Sequence, residues 1–101
     1  MTRPRKFRRV CFRPRVVYFK PRGVPMRALE EIEISREELE ALRLKYVKNF
    51  EQIECARQME ISQSTFQRLL SRANKKIAQA LIRGRAIKIV SSNNLGNNLY
   101  A

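Results

Sequence analysis

The chain has 101 residues, 44% of them hydrophobic and 31% charged, with 22 lysines and arginines against 9 acids, no histidine and a net charge of +13. That length makes one small domain with a modest core, of a size that often leans on a partner for stability. The charge calls for a densely negative partner, nucleic acid first and an anionic membrane surface second. Cys11 and Cys55 are the only cysteines. Two thiols without histidine cannot supply a four-ligand zinc site within one chain, and a lone pair gives no disulfide framework. Both are read as reduced thiols in a cytoplasmic protein, Cys55 packed in an apolar helical pattern and Cys11 in a basic stretch that lowers a thiol pKa. No apolar run reaches the ~18 residues of a membrane span, and the basic start lacks the apolar core of a signal peptide.

The charge is segmented. Residues 1–27 carry ten basic side chains and no acid, residues 28–60 all nine acids against five basic groups, and residues 61–101 seven basic groups and no acid. The pattern fits a folded centre between two phosphate-facing flanks. Three regions follow: a basic N-terminal arm over 1–27, a helical domain over 28–90 and a flexible polar tail over 91–101. All four prolines, Pro4, Pro14, Pro21 and Pro25, lie in the arm and exclude a long helix there. Short strands are expected at 16–20 (VVYFK), 31–34 (EIEI, with Ile32 and Ile34 alternating with glutamates) and 86–90 (AIKIV).

The first helix is announced by SREE, in which Ser35 caps and Glu38 reaches back. Leu39, Leu42 and Tyr46 follow at helical spacing, and Asn49 suits a left-handed stop. The second helix spans 51–59, with Ile53, Ala56 and Met59 as a narrow apolar stripe; small Ala56 admits a close neighbour. Its turn leaves room only for residues 60–62. The third helix begins after Ser62 as N-cap and runs to about Arg83, with Gly84 as its C-terminal cap. Phe66, Leu69, Leu70, Ala73, Ile77, Ala80 and Leu81 share one side. Ser64, Arg68, Ser71, Arg72, Lys75 and Gln79 share the other, and the helix contains no acid. Two helices joined by a very short turn, the second opening with small polar residues, make a helix-turn-helix, whose second helix enters the major groove of DNA.

The stretch SREELEALRLKYVKNFEQIECARQMEISQSTFQRLLSRANKKIAQALIRGRAIKI, with YFKPRGVPMRALEEIEIS before it, resembles a prokaryotic family of small predicted DNA-binding proteins of uncharacterised function. Its helix-turn-helix is similar to region 4 of sigma factors. The resemblance reaches to about Ile89. It implies a mainly α fold, a sigma region 4-like or winged-helix-like three-helix core with short β-strands from the N-terminal segment. Some members carry a further domain similar to iron-molybdenum cofactor proteins; none is expected in this chain, and no cofactor is expected. Two residues depart from the usual motif. Glu60 stands where glycine is common in the turn, at a cost on the order of 1 kcal/mol if φ is positive there. Glu51 replaces the usual Ser or Thr cap, where a carboxylate still suits the helix dipole.

By that resemblance and the helix geometry, Gln63, Ser64, Thr65, Gln67 and Arg68 are the base-reading candidates: glutamine pairs with adenine, arginine with guanine. Gln52, Ser62, Arg72, Lys75 and Lys76 are candidates for phosphate, as are Arg3, Arg5, Lys6, Arg8 and Arg9 of the arm. Phe66 falls on the apolar side and belongs to the core. The rings of Phe7, Phe12, Tyr18 and Phe19 are expected to pack a small sheet on the helices; stacking on RNA bases is the alternative. No catalytic role is expected, since neither cysteine has an obvious base partner and the acids of the first two helices are expected at exposed positions. The expected protein is a sequence-specific binder of double-stranded DNA, a transcriptional regulator and a homodimer. The rivals are a binder of structured RNA and a module that docks on RNA polymerase.

Overall fold

The computed structural model describes residues 10 and 14–90. The arm residues Arg3, Arg5, Lys6, Phe7, Arg8, Arg9, Cys11 and Phe12, and the tail 91–101, lie outside the described residues. In chain order the fold runs β1 (Tyr18–Phe19), a 3-10 turn (Met26–Ala28), β2 (Glu31–Ser35), α1 (Arg36–Leu42) continuing into a π-helical turn (Arg43–Val47), α2 (Gln52–Met59), α3 (Gln63–Arg83) and β3 (Ala86–Val90). It is mainly helical with one small three-stranded sheet.

All three expected strands form, β1 shorter than the 16–20 run. β3 is central, antiparallel to β1 and parallel to β2, with Phe19 opposite Ile87 and Ile32 also opposite Ile87. A parallel pair needs a long crossover between its strands, and here the three helices supply it. The glutamates of β2 face outward and Ile32 and Ile34 are buried. The hydroxyl of Tyr18 donates to Glu31 at 2.7 Å, tying the start of the described chain to the far strand.

Ser35 caps α1 as the sequence indicates: its hydroxyl accepts from the Glu38 amide at 3.0 Å, and Glu38 accepts from the Ser35 amide at 2.9 Å. The apolar stripe is different from the expected one. Ala41 and Leu44 are buried, Leu39 and Leu42 half-buried, and Tyr46 exposed. The π-helical turn is the reason. Lys48 N–H bonds back five residues to Arg43 O at 2.9 Å, and the extra residue in that turn advances the phase and swings Tyr46 outward. There its hydroxyl accepts from Asn74 of α3 at 3.1 Å.

The expectation that the acids of α1 sit at the surface is also corrected. Glu38 and Glu40 are each only 2% exposed. Both are compensated, as buried carboxylates must be. Arg43 holds Glu40 with two hydrogen bonds of 2.9 Å. Glu38 receives Lys76 Nζ at 2.9 Å, with Arg72 Nη1 at 3.8 Å.

In α2 the buried residues are Cys55, Ala56 and Met59, whereas Ile53 is 67% exposed. At 100° per residue the buried sector is centred near Cys55 and Met59, about 120° from Ile53. The thiol here serves as a small apolar group. On the outer side, Glu54 accepts from Gln58 at 2.8 Å and pairs with Arg57; these contacts hold its carboxyl below the usual range.

The turn between α2 and α3 closes as a double-bonded C-cap. Glu60 N–H reaches Arg57 O at 3.1 Å, and Ile61 N–H reaches Ala56 O at 3.0 Å. Glu60 has φ 60° and takes the left-handed strain that the sequence implies, as does Asn49 at φ 62°. Gly84 caps α3 at φ 67° without that strain.

The core gathers Ala41 and Leu44, Cys55, Ala56 and Met59, and Phe66, Leu69 and Leu70. Phe66 is wholly buried in the same cluster as Ala56, which removes it from any role on a base. Burying that ring contributes roughly 2–3 kcal/mol. The apolar side of α3 stays covered through Ala80 and then fails: Leu81 is 76% and Ile82 83% exposed. Beyond Ala80 the chain turns at Gly84 into β3, and among the described residues no element covers the last turn.

Candidate nucleic-acid interface

Ser62 builds the start of α3. Its hydroxyl accepts from the Thr65 amide at 3.1 Å and shares contacts with the hydroxyls of Thr65 at 2.9 Å and Ser64 at 3.2 Å. This cap sets the phase of the helix. Gln63, Ser64, Gln67 and Arg68 follow as exposed side chains, and Thr65 is half-buried. Arg68 Nη2 donates to Thr65 Oγ1 at 3.4 Å, which draws its guanidinium back over the first turn. Four of the five base-reading candidates therefore lie open to solvent on adjacent turns. Thr65 and Ser62 are committed mainly to the cap.

The exposed row continues through Ser71, Arg72, Lys75 and Gln79. From Gln63 to Ser71 the helix rises about 12 Å, about the width of the major groove. No acid interrupts residues 61–90, so this face carries charge of one sign.

Of the expected phosphate residues, one is spent inside the molecule and a second is shared. Lys76 is half-buried, with its ammonium on Glu38 and, at 2.8 Å, on the carbonyl of Glu33. It balances a buried carboxylate and secures α3 to β2. Arg72 is shared: its side chain is 56% exposed, with one nitrogen 3.8 Å from Glu38. Lys75 is exposed, the clearest cation of the row after Arg68.

Gln52, the first residue of α2, is half-buried and meets α3 directly: Gln67 Nε2 donates to Gln52 Oε1 at 3.0 Å. This contact is missing from the one-dimensional reading. The residues lie fifteen apart, and the only hint was Ala56, whose small side chain lets the two helices close up.

Among the described residues no three histidine, cysteine or acidic side chains group as a metal site, and no helix is long and apolar enough to cross a membrane. Burial pushes the thiol of Cys55 up, against a smaller opposing effect of Lys45. Its Sγ lies 3.5 Å from the carbonyl of Phe50, and the residue packs in the core.

Fold and face together define a small, strongly basic, mainly helical protein with an acid-free polar row along its longest helix. The chain belongs to the family described as protein of unknown function DUF134, whose model matches residues 1–96. It is 53% identical over 93 residues to a UPF0251 protein of Desulforudis audaxviator, covering 92% of this chain and 61% of the relative. It is 52% identical over 88 residues to a UPF0251 protein of Halothermothrix orenii, covering 87% of this chain and 65% of the relative. The UPF0251 protein DET0218 of Dehalococcoides mccartyi is 53% identical over 89 residues, with 88% and 76% covered. The chain thus spans less than two thirds of the length of the first two of these relatives. No solved structure matches it.

Proposed function

We propose that this chain is a non-enzymatic, sequence-specific binder of double-stranded DNA that regulates transcription in the cytoplasm. α2, the turn at 60–62 and α3 form a helix-turn-helix similar to sigma factor region 4, with α3 as the reading helix. The observation that carries this reading is the exposed row from Gln63 to Gln79, on which amides, hydroxyls and cations occur without an acid. A merely solvated helix face mixes signs; a face of one sign suits phosphates. Gln63, Ser64, Gln67 and Arg68 would reach base edges, while Arg72, Lys75 and the arm meet the backbone.

Selection of bound sites from random duplexes tests this. A defined motif is expected. Enrichment without a motif, or preference for RNA in competition at matched salt, would overturn it. At the selected site, Arg68→Ala should weaken binding by roughly 1–3 kcal/mol and relax preference at one position; an unaltered motif would remove Arg68 from base reading.

A second copy is the proposed protein partner. Leu81 and Ile82 stand exposed on the last turn of α3, and Leu81 borders a hollow of about 300 Å³ that is also lined by Phe19, Pro21 and Ile87. Of the two cations in its lining, Arg85 is paired with Glu30 at 2.9 Å and Lys20 donates to the carbonyl of Pro21 at 3.1 Å.

A further inference from the structure

We infer that Gln52 is a positioning residue that makes Gln67 a reader of adenine and bars guanine at the same position; this rests on the DNA-binding reading above. The inference starts from hydrogen-bond capacity. A glutamine amide has two N–H donors on nitrogen and two acceptor sites on oxygen. Gln67 already spends one N–H on Gln52 Oε1 at 3.0 Å. What remains toward solvent is one N–H beside one free carbonyl oxygen. In the major groove adenine offers an acceptor at N7 beside a donor at N6, which matches that remainder. Guanine offers two acceptors, N7 and O6, and needs two donors. An unclamped glutamine can turn both N–H groups to guanine; a clamped one has a single N–H to give, and its oxygen would face O6.

Gln52 is suited to the clamp. It opens α2, is half-buried, and so is itself held by the body of the domain. Among the described residues its own nitrogen has no hydrogen-bond partner, which leaves both N–H groups for a phosphate. One amide pair then links register on the backbone to choice of base. Arg68 lies on the same exposed row, but it donates to Thr65 within α3, whereas the orientation of Gln67 is set by a second helix.

The test takes a duplex site obtained by selection and finds the position whose preference is lost in Gln67→Ala. Affinities are compared for adenine, 7-deazaadenine and guanine there. The native chain should prefer adenine over guanine by about tenfold or more, and 7-deazaadenine should lose most of that advantage. Gln52→Leu should bring the adenine-to-guanine ratio close to one. Gln52→Glu keeps an acceptor for Gln67 but loses the donors, so it should retain the ratio while binding every site more weakly. A purely structural role for Gln52 would lower affinity without moving the ratio. Thermal melts of the variants check that the fold is intact. An unchanged ratio in Gln52→Leu, with DNA binding preserved, overturns this inference alone. Failure of the native chain to bind duplex DNA overturns it together with the reading on which it rests.

Discussion

Cys55 shows how burial changes the meaning of a residue. In the sequence it is one of two thiols in a basic chain; in the fold it is wholly buried beside Ala56 and Met59. Its thiol is pushed above the ordinary value chiefly because burial disfavours the thiolate. The stability linked to it is therefore fully present below the unfolded thiol pKa of about 8.5 and is lost as pH rises through the higher folded value. Denaturation midpoints should fall above about pH 9, and Cys55→Ala should flatten that fall. Tyr18 is shifted in the same direction by Glu31, but a tyrosine titrates near 10, so the window just below isolates the thiol. A decline that persists unchanged in Cys55→Ala would remove the residue from the effect. Glu38 is a second case: its capping role was legible from SREE, while its burial and its cation were not, because Lys76 arrives from thirty-eight residues away.

Along α3, adjacent lysines have opposite fates. Lys75 is exposed, and Lys76 lies over Glu38 and the middle of β2. One residue of rotation, 100° on the helix, separates an exposed cation from a structural countercharge. Lys75→Ala should reduce the salt slope of DNA binding by about one while leaving stability within about 0.5 kcal/mol. Lys76→Ala should do the reverse: a loss of about 1–3 kcal/mol in unfolding free energy, moderated by Arg72 and by partial solvent access, with the slope unchanged. Titrating binding against salt and melting both variants checks the pair. Equal effects would mean that the two lysines are not divided as the fold divides them. The same rotational logic applies to the first two helices. There the π-helical turn displaces Tyr46 from the expected stripe, and Cys55 takes the inward place assigned to Ile53.

For the whole molecule, the net charge of +13 makes the salt dependence of nucleic-acid binding a test of the proposed interface, since the slope counts the phosphates contacted. Deleting residues 1–15, which include Arg3, Arg5, Lys6, Arg8 and Arg9, should lower the slope by roughly one unit for each phosphate the arm contacts. A slope that stays put would place the arm away from DNA. The exposed Leu81 and Ile82 bear on assembly. Light scattering should give twice the chain mass for the native protein, and Leu81→Gln with Ile82→Gln should give the monomer. A monomeric native chain at the concentrations used for binding would remove the dimer.

By itself the sequence determined the local structure. The capping box at Ser35, the left-handed positions at Asn49, Glu60 and Gly84, the span of α3 and the three short strands all follow from side-chain chemistry within a few residues. It also indicated the acid-free face, because periodicity and charge are one-dimensional properties. Only the tertiary structure decided which charges remain available. It buried Glu38 and Glu40, committed Lys76, left Leu81 and Ile82 uncovered, and brought Gln52 against Gln67. Each of these depends on the desolvation or approach of groups far apart in the chain, and a pattern read along the chain does not register such pairings.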